Sequence, residues 1–209
     1  ETDLFMRNKL FCFSNVAALI NYTATSGIVL FLSLYLQKVQ GLSPRDAGAV
    51  IIAQPVVMAL FSPVVGRLSD RIQPRYFATA GMAICSVGLF AISFFTAETP
   101  LWLIVLVLIW EGLGFAFFSS PNMNTIMSSV DRSRYGQASG TASSMRIFGQ
   151  IAGMTIVTFF FAFYFGNHAV TEVDDAIFLT AMKWGFVTFA LISLAGIYFS
   201  FRRGDVNRS

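Results

Sequence analysis

Residues 100–128 read PLWLIVLVLIWEGLGFAFFSSPNMNTIMS. Glu111 is the one charge in this run. A helix needs about 20 apolar residues, at a rise of about 1.5 Å each, to cross a hydrocarbon core roughly 30 Å thick. The stretch meets that requirement, so it predicts a membrane-spanning helix with a carboxyl group inside it.

Five more stretches satisfy the same rule: residues 10–37, 44–68, 76–96, 133–165 and 175–201. The fold class is therefore all-α, a polytopic membrane protein with six transmembrane helices and a single domain over residues 1–209. Composition agrees: hydrophobic residues make up 56% and charged residues 12%, against about 25% charged in a soluble domain. The net charge of +3 is too small to indicate nucleic-acid binding. The non-Met start at Glu1 and the early entry into an apolar run predict that the chain is cut from a longer protein. That first run is too long for a signal-peptide core.

The breaks carry local chemistry. Ser43-Pro44 and Thr99-Pro100 each place a capping hydroxyl before a proline at the first helical position. Gly41 and Gly166 stand just past helix ends, where a left-handed residue is favoured. Loops are short, so neighbouring helices run antiparallel. Arg7, Lys9, Arg67, Arg71, Arg75, Arg132, Arg134, Arg202, Arg203 and Arg208 fall on one side; Lys38 and Arg45 fall on the other, with Lys183 near it. The positive-inside rule then predicts cytoplasmic termini; the plasma membrane is the expected location.

Buried charge asks for a reason, because it costs roughly 2.5–3.5 kcal/mol or more near the bilayer centre. Glu111 lies roughly 16 Å along the fourth helix and Arg146 roughly 20 Å along the fifth. Both fall near the midplane, where they can meet. Asn122 is close to three full turns from Glu111 and points the same way. Ser139, Ser143, Arg146 and Gln150 form one helical stripe. Asn21, Tyr22 and Thr25 on the first helix, and Gln54 beside Pro55 on the second, complete the polar set. Two readings of Glu111 and Arg146 stand side by side: an ion pair that fixes two helices, or groups that bind substrate or protons. Burial disfavours a charged carboxyl and a neighbouring cation favours it, so only an unpaired Glu111 suits proton exchange. Gly136, Gly140, Gly149 and Gly153 have the spacing that lets helices approach closely. Cys12 and Cys85 read as small buried hydrophobes. His168, alone in a loop, cannot make a metal site, and neither metal nor cofactor is expected.

The loop after the second helix reads Gly66-Arg67-Leu68-Ser69-Asp70-Arg71-Ile72-Gln73-Pro74-Arg75. It resembles the signature loop of the major facilitator superfamily, matching at Gly66, Leu68, Ser69, Asp70 and Arg71. It departs from that pattern where Gln73-Pro74 replace the region of a second glycine. Gly136-Gln137-Ala138-Ser139-Gly140 with Arg146-Ile147-Phe148-Gly149 and Gly153 resembles the drug:proton antiporter branch with 14 helices. So do Leu34-Tyr35-Leu36-Gln37 and Gly41-Leu42-Ser43-Pro44.

The resemblance implies the C-terminal six-helix half of an alternating-access transporter, built from two inverted three-helix repeats. The N-terminal half is absent from this stretch, and the bundle needs it or a second copy as partner. Proton-driven export of small amphipathic molecules is the expected function. Glu111, Arg146, Asn21, Tyr22, Gln54, Asn122 and Gln150 would line the cavity. Gly66, Arg67, Asp70, Arg71 and Arg75 would form a cytoplasmic gate, with Gly66 allowing close helix approach and Asp70 capping a helix or pairing with arginine. The expected partners are substrate, protons and the lipid bilayer. The rivals are a metabolite symporter or uniporter of the same superfamily, and a non-transporting membrane subunit or receptor. An intramembrane serine protease lacks its nucleophile motif and a histidine at membrane depth.

Overall fold

The computed structural model describes residues 8–202. Arg7, Arg203 and Arg208, used above to assign sidedness, lie outside them. Six helices are long and apolar enough to cross a membrane: α1 Lys9–Val39, α2 Pro44–Ser69, α3 Pro74–Ile92, α4 Leu101–Ser128, α5 Arg132–Phe165 and α6 Asp175–Arg202.

Their ends follow the chemistry of the breaks with two exceptions. Ser43 caps α2, accepting from the Asp46 amide and donating to the Asp46 carboxylate at 2.7 Å. Gly41 and Gly166 have φ of 68° and 59°, as residues past helix ends should. Thr99, however, does not cap α4. Pro100 holds that position, and the Thr99 hydroxyl accepts from the Thr96 amide at 2.8 Å. The α3 helix also ends earlier than its apolar run, at Ile92. The following turn is held by α1, where Tyr35 donates to the Thr96 carbonyl at 2.6 Å and Gln40 donates to the carbonyls of Ala97 and Thr99 at 3.1 Å. Hydropathy cannot register a helix that is stopped by hydrogen bonds from its neighbour.

Packing repeats itself. The α1 helix packs on α5 and α6, α4 packs on α2 and α3, and α3 packs on α6. Exchanging α1 with α4, α2 with α5 and α3 with α6 maps this pattern onto itself, the relation expected of two three-helix repeats. In α2 and α5 only 11% and 17% of the apolar window is buried, against 44–50% in the other four. These two helices therefore flank the open side of the bundle.

The glycines of α5 divide accordingly. A methyl group at Gly149 would stand 2.6 Å from the Leu19 carbonyl oxygen, and one at Gly153 would collide with Thr23 and Ser26. Gly136 and Gly140 meet nothing within 4 Å, so the expected close packing at that pair does not occur inside this bundle. Gly136→Val is expected to change stability by less than about 0.5 kcal/mol, as at an unpacked surface site. Thermal unfolding of the intact protein in detergent checks this. A loss as large as that from Gly153→Val would show that α5 packs differently.

Candidate functional site: a polar concave face and a sealed polar layer

The open side carries two adjoining hollows that share Tyr22. One, of about 80 Å³, is lined by Tyr22, Asn122, Ser143 and Arg146 together with Ala18 and Phe118. The other, of about 380 Å³, is lined by Tyr22, Thr25, Ser26, Gln54, Phe115 and Gln150, with Val29 and Met154. Four helices meet here because small residues let them: α5 lies against α1 through Gly149 and Gly153, and Gly112 of α4 lies against the Gln54 carbonyl of α2. Asn122 is buried, and its amide donates to the Ser14 carbonyl at 3.2 Å. Arg146 and Gln150 are exposed on α5. Tyr22 and Phe115 face each other with ring centres 6.4 Å apart.

Five of the residues expected in a cavity are thus brought together: Tyr22, Gln54, Asn122, Arg146 and Gln150. Glu111 and Asn21 line neither hollow. Glu111 is fully buried, and its carboxyl lies against Gly88 of α3, with Cys85 beside it. Neither carboxyl oxygen meets a nitrogen or oxygen donor among the described residues, and the one polar group beside it is the Cys85 thiol. The meeting of Glu111 with Arg146 that their similar depths allowed does not occur: Arg146 lines a hollow that Glu111 does not reach. The reason is helix crossing: the stripe shared by Glu111 and Asn122 meets α3 at its first residue and α1 at its last.

Glu111 belongs to a layer instead. One apolar cluster includes Ala24, Ile28, Leu89, Leu108 and Ala190. A second contains Ala17, Ala18, Ala78, Met82 and Phe118. In sequence, Asn21, Cys85, Ser86, Glu111 and Ser193 fall between or beside these two sets on α1, α3, α4 and α6, and all are buried. Ser86 and Ser193 both donate to the Met82 carbonyl, at 2.9 and 3.2 Å. Asn21 is fully buried, and neither atom of its side-chain amide has a partner among the described residues. A polar layer with unsatisfied members is expensive and therefore informative. Sequence reading found its acid and its amide. It missed Cys85, whose apolar neighbours in the chain gave no sign of the carboxyl across the helix interface. It also missed Phe115, Ser26 and Met154 in the hollow, which look like ordinary membrane residues.

The signature loop is tied to α4. A methyl group at Gly66 would stand 2.7 Å from the Ser120 hydroxyl oxygen, so the two helices are close there. Asn124 donates to the Ser69 hydroxyl at 3.3 Å and reaches the Asp70 carboxylate at 3.5 Å. Asp70 therefore ends α2 and meets Asn124, where an arginine or a neighbouring helix start was expected. Arg67 and Arg71 are exposed, while Arg75 is half-buried at the start of α3.

Fold and site together define a multi-pass membrane bundle of the solute-transporter type. The sequence model of the Major Facilitator Superfamily matches residues 15–208, and the chain belongs to that family. It is 29% identical over 156 residues to the riboflavin transporter RibZ of Clostridioides difficile, covering 75% of this chain and 34% of that protein. It is 28% identical over 158 residues to the multidrug efflux pump LfrA of Mycolicibacterium smegmatis, covering 75% and 31%. A tetracycline resistance determinant of Streptomyces rimosus is 32% identical over 152 residues, covering 70% and 42%. The chain spans about a third of the length of the curated relatives it matches. Among solved structures, a bacterial homolog of the human lysosomal transporter Spinster, inward-facing and occupied, superposes with a TM-score of 0.67 at 15% identity. That likeness covers 95% of this chain and 50% of that one.

Proposed function

We propose that this chain is the C-terminal half of a secondary transporter that exports small amphipathic molecules from the cell by proton antiport. The observation that carries the reading is a separation within the bundle: a polar hollow on the open side, and a fully buried acid that lies outside it. In the hollow, a planar solute stacks against Tyr22 and Phe115 and exchanges hydrogen bonds with Gln54 and Gln150. Arg146 offers a planar, permanently charged donor to carbonyl or anionic groups. Glu111 takes up and releases the proton. Coupling then runs through the fit of α3 against α4, since Glu111 lines neither hollow. The loop at Gly66, Asp70 and Arg71, fastened to Asn124, acts as the gate on the basic side. The distribution of arginine supports placing that side in the cytoplasm, and the membrane in this reading is the plasma membrane.

A second reading is a metabolite symporter or uniporter of the same family, and the riboflavin transporter among the relatives favours a metabolite as the solute. Proteoliposomes holding the intact protein separate the two. Under an imposed pH gradient, a planar fluorescent dye is expected to move opposite to the proton and to collapse the gradient as it moves. Movement with the proton supports symport; no movement under any gradient overturns both. In the same assay Arg146→Ala is expected to raise the half-saturating dye concentration about tenfold or more, the value of one hydrogen bond to a charged group. An unchanged value would remove Arg146 from the binding surface.

A further inference from the structure

The α3 and α6 helices enclose a groove that faces outward, away from the polar hollow. Its volume is about 380 Å³; Val87 and Phe90 from α3, and Val187, Leu191, Leu194 and Ile197 from α6 are its main walls, and Ser86, the one polar lining residue, spends its hydroxyl on the Met82 carbonyl. From Val187 to Ile197 it runs roughly 15 Å along α6, half of a hydrocarbon core about 30 Å thick. The groove thus has the depth of one lipid leaflet.

Its Ile197 end leads to two arginines. Arg202 lies roughly 7.5 Å further along α6; its guanidinium sits 5.4 Å from the centre of the Tyr198 ring and donates to the Tyr198 hydroxyl at 2.9 Å. Arg75 stands at the corresponding end of α3, with its guanidinium 4.8 Å from the Tyr76 ring centre and 5.7 Å from that of Phe201. The two helices are joined there by a 3.0 Å hydrogen bond between Thr79 and Ser200. Tyr76, Tyr198 and Phe201 are all exposed, as aromatic side chains are at a membrane–water interface. One end of the groove is therefore cationic and aromatic, and the rest takes nothing but hydrocarbon.

We infer that this groove binds one anionic phospholipid, drawn from the leaflet on the basic side. An acyl chain lies between α3 and α6, and the phosphate is held by Arg75 and Arg202. Guanidinium groups suit that partner because their planar donors match phosphate oxygens in pairs. The inference rests on the reading that the basic ends lie at a membrane surface, but not on transport or on Glu111. It assigns α3 and α6 a role outside the polar hollow.

Native mass spectrometry of the intact protein, titrated with phosphatidylglycerol or with phosphatidylcholine of the same chains, tests it. Wild type is expected to retain one phosphatidylglycerol in preference to phosphatidylcholine. Replacing both arginines (Arg75→Gln with Arg202→Gln) is expected to weaken retention roughly thirtyfold, since each cation near the surface contributes comparably. Val87→Trp fills the groove from an exposed position and leaves both arginines in place. It too is expected to lower retention of phosphatidylglycerol, which keeps the test alive if the arginine variant folds poorly. Inorganic phosphate in excess is expected not to displace the lipid. Equal retention of the two lipids overturns the inference. So does unchanged retention in Val87→Trp, or displacement by phosphate alone, which would leave an anion site without a lipid groove.

Discussion

Gly81→Val is expected to destabilise the bundle more than any other single change on its surface-distant seam, by above about 3 kcal/mol. A methyl group at Gly81 would stand 2.6 Å from the Phe118 amide nitrogen and 2.7 Å from the Gly114 carbonyl oxygen. Both are backbone atoms of α4, so no side chain can turn away to make room. The neighbouring contacts are equally close: a methyl group at Gly114 would stand 2.6 Å from the Cys85 sulfur, and one at Gly88 would collide with the Glu111 carboxyl. The α3–α4 seam is thus held by absence of side chains at Gly81, Gly88 and Gly114, the device by which membrane helices gain contact without a hydrophobic driving force. Relief requires α3 and α4 to separate, which breaks the hydrogen bond that the Trp110 ring nitrogen donates to the Ile84 carbonyl at 2.8 Å. The thermal midpoint of the intact protein in detergent checks the effect, with the exposed Ala80→Val as its control. A Gly81→Val protein as stable as that control would mean the two helices are further apart than described.

The same seam shows what sequence could and could not disclose. Six spans were legible because the length of an apolar run is set by the membrane and not by neighbours. Ser43, Gly41 and Gly166 were legible because caps and left-handed residues are local. The depths of Glu111 and Arg146 followed from counting. Their azimuth did not. The period of α4 puts Glu111 and Asn122 on one stripe, but only the crossing of α4 with α3 and α1 decides what each end of that stripe meets. Matching depth left Arg146 open as a partner of Glu111; it lies on α5, which lines a hollow with α4 near Asn122 and not near Glu111. The Gly136 pair and the Gly149 pair have identical spacing, yet only the second is packed. Spacing states what a helix permits, and the neighbour decides whether the permission is used.

Glu111→Gln is expected to abolish proton-coupled movement, lowering transport under a pH gradient by about a hundredfold or more, while leaving dye binding near wild type. The magnitude follows from what the carboxyl alone supplies: general proton transfer by a positioned group is worth about 10² to 10⁴ in rate. Binding survives because Glu111 lines neither hollow. Folding survives because glutamine has the same shape and its side-chain oxygen can keep the contact with the Cys85 thiol beside it. A structural ion pair behaves oppositely, since removing one buried partner leaves the other uncompensated at a cost of roughly 3–5 kcal/mol. The thermal midpoint therefore discriminates the two readings before any transport is measured. An unchanged or raised midpoint with lost coupling fits an acid that is present for its proton. A lowered midpoint with coupling intact would mean that Glu111 holds the α3–α4 seam together, and that the driving proton is bound by a residue elsewhere in the whole protein. Arg146→Ala completes the comparison, because it should weaken dye binding and leave proton movement intact. If both variants lost binding and coupling together, acid and hollow would be one site, and the separation between α3 and α5 would have no functional meaning.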